Sequence, residues 1–288
     1  MKDILTSPRI EGMKRKRKAF RLRLSILFLI LFISIVWALA FFSSNSYVTV
    51  NKVVVTGTRI INASDVEFSV EDSLSGKYLR LFARKNVFIY PHDQIYKKLL
   101  ANFPRIEKLK VQREGLNTLK VDIVERAGSY LYCGTTIPEL QTQIGENCYF
   151  INNDGYIFDK APYFSGNVYF KYYSLLEAGE GEDPLGKQML TPEHFHATAR
   201  FVDGVVKLGF KPTHLVIGAD SSTLYLDHGI SDTKPQIIWK GENDLDSILD
   251  NLSVSMAKPE FANEIRSKYT TLLYIDLRFK NKVLYKFE

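Results

Sequence analysis

The segment Tyr149–Pro162, "YFINNDGYIFDKAP", comes closest to a chemical motif, since polar residues run into Asp154-Gly155 between aromatic and β-branched residues. Such a stretch is read as a calcium loop, a catalytic carboxylate on a tight turn, or a hairpin. An EF-hand loop needs oxygen ligands at alternate positions and a Glu at the twelfth. With Gly155 at the sixth position, Phe150 stands first and Ala161 last, so the match to a calcium loop fails at both ends. We therefore predict a structural turn, in which Asp154-Gly155 supplies the positive φ angles between two strands.

The histidines and the remaining carboxylates do not form a recognisable site in the sequence. His194 and His196 are two residues apart on a predicted helix, so they point about 200° away from each other and cannot share a metal. No nucleophile elbow, phosphate-binding glycine loop or zinc-ligand spacing occurs. We therefore expect no enzyme activity, no cofactor and no metal. The other candidates, each alone or in a predicted loop, are His92, His214, His228, Asp220, Asp227 and Asp232.

The net charge of +6 is confined to the N-terminus. The first 23 residues hold nine Lys or Arg against Asp3 and Glu11, whereas the remainder holds 29 cations and 30 acids. A basic surface for nucleic acid is therefore not expected outside the tail.

An apolar run, Leu24–Phe42, follows the basic tail and contains no charged residue. As a helix it would span about 28 Å, close to the hydrocarbon thickness of a bilayer. The positive-inside rule predicts residues 1–23 in the cytoplasm, residues 24–42 in the cytoplasmic membrane, and residues 43–288 outside. A cleaved signal peptide is the alternative, because Ala38-Leu39-Ala40 resembles a peptidase site. The long basic segment and long apolar run favour an uncleaved anchor.

The two cysteines, Cys133 and Cys148, both fall on the predicted outer side, where an oxidising compartment permits a disulfide. They bracket the polar stretch "GTTIPELQTQIGEN", and a bridge would close the neck of a hairpin. Two free thiols are the alternative. A metal site is disfavoured because no His or further Cys stands nearby at ligand spacing.

Residues 48–126 read as a compact unit with the order β-α-α-β-β. "YVTVNKVVVTG" is typical of a strand, and "NASDVEFSVEDSLSG" of a short helix with Asn62 or Ser64 as N-cap. "HDQIYKKLLANFP" repeats apolar residues at Ile95, Leu99 and Phe103, which predicts a second helix. "IEKLKVQRE" and "TLKVDIVER" alternate and are joined at hairpin length.

Residues 127–288 predict a mostly antiparallel β domain with two helices, so the fold class is α+β. One helix follows Thr191-Pro192 and ends before Gly209, and the other starts near Asp244 and stops by Pro259. The predicted strands are "YLYC", "CYFIN", "YIFDK", "VYFKYY", "THLVIGA", "STLYLDH", "QIIWKG", "LLYIDLRF" and "VLYKFE".

The final hairpin, "YIDLRFKNKVLYKFE", has two distinct faces because side chains alternate along a strand. If its last strand lies at a sheet edge, no further residue follows Glu288 in this sequence to cover it. An open edge is a template for the strand of another chain. A purely structural role for Tyr285 and Phe287 in the core is the alternative. One face carries Val283, Tyr285 and Phe287, and the other carries Leu284 and Lys286.

Taken together, the chain resembles the FtsQ/DivIB family of bacterial cell-division proteins, a single-pass membrane family with a POTRA domain and a β domain. The resemblance rests on "VNKVVVTG" after the anchor, "FPRIEKLKVQRE", "TLKVDIVER", "NDGYIFD" and "YIDLRF", in this order and spacing. It implies a POTRA domain at 48–126 and a C-terminal β domain at 127–288. Two departures concern the junction: Gly128 stands where the family often has Pro, and residues 134–147 resemble an insertion.

The resemblance implies a non-catalytic scaffold at the division septum that links early and late divisome proteins and helps control septal peptidoglycan synthesis. It implies partners like FtsB and FtsL, other divisome components through the POTRA domain, and strand addition at the last strand. Phe279 and Phe287 match two aromatic positions of that site, Arg278 matches an arginine able to pair with a partner carboxylate, and Asn281 and Lys282 replace smaller residues. The expected partner-binding residues are Arg278, Phe279, Val283, Leu284, Tyr285, Lys286 and Phe287. The alternatives are a POTRA-bearing protein-assembly factor and a membrane-anchored extracytoplasmic hydrolase.

Overall fold

The computed structural model describes residues 8–137, 147–164, 166–176, 183–227, 229, 234–240 and 244–288. The chain has the α+β fold class expected from the sequence, with one N-terminal apolar helix and a sheet-rich body. It divides into two compact units, one of residues 1–103 and 108–125 and one of residues 104–107 and 126–288.

The first unit begins with the long helix α1, Pro8–Ser43. Its stretch Phe20–Ser43 is long and apolar enough to cross a membrane. This stretch starts four residues before the predicted anchor, because the described part of the basic tail continues the same helix. The predicted anchor, residues 24–42, lies entirely within it.

The rest of the first unit has a three-stranded sheet in the order β1-β5-β4, in which β1 and β5 run parallel. Helix α2 contacts both α3 and β1. The element order β-α-α-β-β predicted from the sequence is present, with an additional short hairpin, β2–β3, between the two helices. The elements are β1 Lys52–Thr56, α2 Ala63–Leu74, β2 Lys77–Tyr78, β3 Phe82–Ala83, α3 His92–Asn102, β4 Ile106–Glu114 and β5 Thr118–Glu125.

The helices of this unit follow from their capping and apolar spacing. The Asn62 side chain accepts a hydrogen bond from the Ser64 main-chain N–H at 3.2 Å, which settles the N-cap of α2 on Asn62. Ile95 and Leu99, four residues apart on α3, are fully buried. Each buried apolar side chain of this size stabilises the fold by about 2 kcal/mol.

The second unit is built on a nine-stranded sheet in the order β14-β13-β12-β11-β10-β9-β6-β7-β8. Most neighbouring pairs are antiparallel, but β6–β9, β9–β10 and β12–β13 are parallel. The strands are β6 Tyr130–Tyr132, β7 Tyr149–Ile151, β8 Ile157–Lys160, β9 Lys171–Ser174, β10 Pro212–Ile217, β11 Ser221–Leu226, β12 Gln236–Lys240, β13 Leu272–Asp276 and β14 Leu284–Phe287.

Three helices accompany this sheet, α4 Pro192–Lys207, α5 Leu245–Met256 and α6 Pro259–Ser267. The sequence predicted two helices, so the prediction missed α6. Pro259 was interpreted only as the end of α5, yet proline is also favoured in the first turn of a helix, where its missing N–H costs nothing.

The main core of the second unit lies between the helices and one face of the sheet. It joins Phe195 and Phe201 of α4, Leu252 of α5 and Ile265 of α6 to inward residues of the strands. A smaller cluster around Cys133, Cys148 and Tyr173 covers part of the opposite face. The face of the sheet that packs against the helices therefore carries the larger share of the buried side chains.

Candidate functional site

The predicted partner-binding residues all lie on the β13–β14 hairpin, and β14 is an outer strand of the nine-stranded sheet. It pairs antiparallel with β13, with Ile275 opposite Tyr285 and Asp276 opposite Leu284. The connection is a turn in which the Lys282 N–H donates to the Phe279 carbonyl at 3.1 Å. Asn281 has a φ of 60° there, a conformation that asparagine tolerates better than most residues.

One face of β14 is directed toward the helix layer. Val283 and Phe287 pack against the main core. The Tyr285 ring meets the Phe261 ring of α6 edge-on at 5.2 Å, and its hydroxyl donates to a Glu264 carboxylate oxygen at 2.7 Å. This hydrogen bond lowers the pKa of the Glu264 carboxyl and raises the pKa of the Tyr285 hydroxyl. The aromatic face therefore also holds the strand onto α6.

The other face of β14 and the turn are open. Leu284 is 45% exposed, Lys286 is exposed, and Phe279 at the turn is 51% exposed. An exposed leucine and phenylalanine beside a strand edge are an unusual combination, because edge strands in proteins are generally protected by charge or bulges. Leu284 and Lys286 lie on the face of β14 opposite Tyr285, and Phe279 adds an exposed apolar ring at the turn.

The main-chain groups of β14 alternate between β13 and the outside. The Glu288 N–H donates to the Thr271 carbonyl at 2.9 Å, on the β13 side. Since successive residues of a strand direct their main-chain groups to opposite sides, Lys286 and Leu284 also face β13. The N–H and C=O groups of Tyr285 and Phe287 then point away from the sheet, where a further strand would pair.

Arg278, two residues after β13, is paired with the last residue of that strand. Its guanidinium Nε donates to both carboxylate oxygens of Asp276, at 2.9 and 3.1 Å, and Nη2 donates to one of them at 2.6 Å. Asp276 is buried, and these hydrogen bonds hold the pKa of its carboxyl below the usual value. A partner carboxylate at Arg278 would have to share the guanidinium with Asp276.

Cys133 and Cys148 are joined by a disulfide, with their Cα atoms 4.2 Å apart. The residues next to them, Tyr132 and Tyr149, are opposite each other in the β6–β7 register, so the bridge crosses the neck of this hairpin. Both cysteines are buried in the smaller cluster. Most of the stretch that they bracket, residues 138–146, lies outside the described residues.

The Asp154-Gly155 stretch forms the turn between β7 and β8. The Asn152 side-chain oxygen accepts from the N–H groups of Asp154 and Tyr156 at 3.0 and 2.9 Å. Gly155 has a φ of 81°, and a Cβ there would come within 2.8 Å of the Phe195 ring. The turn thus requires glycine for its conformation and for the packing of α4. Only Gly155 of the pair has a positive φ, so the expectation that Asp154 would share it is wrong.

Three histidines of the described residues, His92, His196 and His214, have side-chain partners close by. His196 Nε2 lies 3.1 Å from an Asp154 carboxylate oxygen, whereas the main-chain N–H of His194 donates to the hydroxyl of Thr191, the N-cap of α4. His214 stacks on Tyr225 with ring centroids 4.4 Å apart. No group of three or more His, Cys, Asp or Glu able to hold a metal occurs in the part of the chain that the structure describes. His228 and Asp232 lie outside it.

A cavity of about 480 Å³ lies where α4, α5 and α6 end. Lys211 and Arg266 contribute cations, and Asp227 is the one carboxylate among its described lining residues. The Tyr269 hydroxyl donates to the Asp227 carbonyl at 2.9 Å, and burial raises the pKa of this hydroxyl to about 12. Paired carboxylates, which the hydrolase alternative would need, do not occur in this described lining.

Two features of the site were missed in the sequence. Glu264 and Phe261 belong to α6, which was not predicted, and no sequence signal linked them to Tyr285. By contrast, Asp276 and Arg278 are two residues apart in the predicted strand "LLYIDLRF", so the sequence alone placed them on the same face, although the observed β13 ends at Asp276. Gly128 also has a packing reason, since a Cβ there would lie 2.3 Å from the Phe150 ring.

The described residues thus define an α+β chain with one candidate membrane span and an outer strand, β14, whose free side pairs with no described residue and lies beside exposed apolar side chains. No family model matches the chain, and no curated protein matches it.

Proposed function

We propose that the chain is a membrane-anchored, non-catalytic scaffold of bacterial cell division, of the FtsQ/DivIB kind. In this proposal α1 crosses the cytoplasmic membrane with its basic end inside, and the two units act outside, at the septum. The chain holds FtsB-like and FtsL-like single-pass proteins there, binds other divisome components through a POTRA domain at 48–126, and helps control septal peptidoglycan synthesis. The order of the sequence motifs supports the family, and one structural observation supports the mode of binding.

That observation is the open outer side of β14. The main-chain groups of Tyr285 and Phe287 point away from β13, so an incoming strand would find donors and acceptors already in place. Leu284 and Phe279 offer apolar contacts beside this edge, and Lys286 offers a charge. Main-chain pairing would supply affinity, and these side chains would select the partner strand.

Phe287 contributes to the fold as well as to the proposed site. Its ring packs against the core and lies 5.3 Å from the Lys268 ammonium nitrogen. A Phe287→Ala variant would therefore lose packing of the hairpin together with any partner contact. A cleaner test compares two variants that lose the same side-chain contacts and differ only in one main-chain N–H that faces outward.

The test compares Tyr285→Pro with Tyr285→Ala in the full chain, reconstituted with the FtsB-like and FtsL-like proteins of the same genome. Both variants lose the ring and the hydrogen bond to Glu264, but only proline removes the outward N–H. We expect the proline variant to bind about tenfold more weakly than the alanine variant, since a partner carbonyl is left unpaired. Equal affinities in folded proteins, checked by circular dichroism, would contradict strand addition at β14.

The cellular role is tested separately with a fluorescent fusion to the N-terminus. A band at mid-cell, lost in a strain depleted of early division proteins, is the expected result. Uniform fluorescence around the membrane would contradict a septal role while leaving the β14 interface open to another partner.

A further inference from the structure

A second exposed apolar element lies in the first unit, on the hairpin Lys77–Ala83. Leu79 is 87% exposed and Leu81 is 38% exposed at its tip. Leu79 and Arg80 have φ angles of 49° and 61°, a conformation that costs non-glycine residues free energy. An exposed leucine in a strained turn has no packing role that would explain it.

The hairpin is attached to the outer end of α1. The Ala83 N–H donates to the Ser43 hydroxyl at 3.2 Å, and the Asn86 side-chain amide donates to the Ser43 carbonyl at 3.1 Å. Ser43 is buried, and β3 contacts α1. Since Ser43 is the last residue of the candidate membrane span, the hairpin stands where the chain would leave the bilayer.

The surroundings of the hairpin have the composition of a membrane interface. Between Gly76 and Pro91 there are four cations and no acidic residue. Tyr47 is 80% exposed and Phe88 is 60% exposed, and the pairing of the Val48 carbonyl with the Val87 N–H brings their segments together. Aromatic rings and cations at the end of a transmembrane helix match the headgroup region of a bilayer. The cations are Lys77, Arg80, Arg84 and Lys85.

We infer that the Lys77–Ala83 hairpin inserts its Leu79–Leu81 tip into the outer leaflet of the membrane that α1 spans, with the adjoining cations on anionic phospholipid headgroups. The apolar tip enters the boundary between headgroups and acyl chains, while the cationic side chains remain at headgroup level. This contact would fix the first unit against the bilayer. The inference rests on α1 crossing the membrane and is independent of partner binding at β14.

The test uses the full chain in nanodiscs, with an indole introduced as a depth probe. In a Trp37→Phe background, Leu79→Trp is compared with Ile60→Trp. Ile60 is also exposed, but it follows the C-terminal end of β1, whereas α1 precedes the N-terminal end of that strand. Buried Trp239 gives a constant signal that the parent protein corrects. The nanodiscs contain phosphatidylglycerol or phosphatidylcholine, with a nitroxide quencher near the headgroup.

We expect about threefold more quenching at position 79 than at position 60 in phosphatidylglycerol. Combined charge reversal, Lys77→Glu, Arg80→Glu and Lys85→Glu, should remove roughly half of the quenching at position 79 or more. Because these side chains are exposed, the reversal should leave the fold intact, as circular dichroism would verify. With the nitroxide placed on the acyl chain instead, native Trp37 in the unmodified protein reports independently whether α1 is embedded, because Trp37 lies inside the candidate span.

Equal quenching at positions 79 and 60 would overturn the inference. Quenching at position 79 that is the same in both lipids and after charge reversal would overturn the assignment to anionic headgroups. An unquenched Trp37 would remove the premise of the inference, because α1 would then not lie in the bilayer. None of these results depends on whether FtsB-like proteins bind.

Discussion

The two outer strands of the nine-stranded sheet, β8 and β14, differ in whether another segment of the chain pairs with their outward main-chain groups. At β8 the chain covers its own edge: the Ile157 N–H donates to the Lys187 carbonyl at 2.9 Å, and Gly186 donates back to Ile157 at 2.8 Å. Asp159 of this strand is further held by the Arg105 guanidinium at 2.5 Å. At β14 the outward groups of Tyr285 and Phe287 face away from the sheet, beside exposed Leu284.

The comparison separates two uses of the same geometry. A covered edge contributes to the stability of the fold, whereas an open edge leaves main-chain hydrogen bonds for another chain. Proline substitutions distinguish these uses, because proline removes an N–H and little else from an edge strand. Equivalent changes at the two edges should therefore differ in stability and in binding.

The largest expected effect is at the covered edge. Ile157 is fully buried, so Ile157→Ala should lower the free energy of unfolding by about 3 kcal/mol. Ile157→Pro should cost a further 1–3 kcal/mol, roughly, because the Lys187 carbonyl loses its donor. Urea denaturation of both variants measures the difference. Identical stabilities would mean that the covering segment does not hold β8.

The next effect concerns the disulfide at the β8 side of the sheet. Replacing both cysteines, Cys133→Ala with Cys148→Ala, should lower the free energy of unfolding by about 3 kcal/mol, as expected for a loop of this length. Reduction of the unmodified protein should reproduce this loss, and the alanine variant should then be insensitive to reductant. Two labelled thiols in unreduced, denatured protein would contradict the pairing.

At the open edge the same kind of change should be almost neutral for the fold. Tyr285→Pro and Tyr285→Ala should differ in free energy of unfolding by less than about 1 kcal/mol, because the N–H of Tyr285 faces solvent in the free chain. Thermal and urea denaturation in the absence of partner provide the measurement. A proline penalty as large as that at Ile157 would show that β14 is covered within this chain.

The elements near these edges that were predicted correctly are those whose signal lies in a short stretch of neighbouring residues. The predicted bounds of β4 and β5 agree with the observed ones within a residue. For β5 the alternation has a clear cause, because Leu119, Val121 and Ile123 form one buried face. The β7–β8 turn followed from Asp154-Gly155 alone. These elements depend on local pattern, and local pattern is what a single sequence carries.

The parts that were missed depend on tertiary contacts. Helix α6 is nine residues long and starts at a proline, so the sequence signal for it was weaker than the signal for a helix end. The β2–β3 hairpin has strands of two residues, too short for any periodicity. Similarly, Gln188 bridges to Tyr156 at the covered edge from a segment with no strand pattern. An edge position for the last strand entered the sequence analysis only as a condition, and the segment that covers β8 was not predicted.

The smallest expected effect is the pH dependence of the hairpin that ends in β14. Hydrogen bonds from Arg278 hold the pKa of Asp276 below its ordinary value of 3.8. A carboxyl with a lowered pKa in the folded state stabilises the fold above the unfolded-state pKa, and this contribution is lost as the pH falls through the folded-state pKa. The loss should therefore occur below about pH 4.

Asp276→Asn provides the matched variant for this effect. Because Arg278 is partly exposed, the pair should contribute only about 1 kcal/mol or less at pH 7, where the variant melts at a lower temperature than the unmodified chain. Below about pH 4 the difference between the two melting temperatures should shrink, since Asp276 then becomes protonated. Glu264, whose pKa is lowered chiefly by the Tyr285 hydroxyl, titrates in both proteins and cancels in the comparison. A difference that stays constant from neutral to acid pH would show that Asp276 acts through packing, and that its ion pair with Arg278 does not hold the open edge in place.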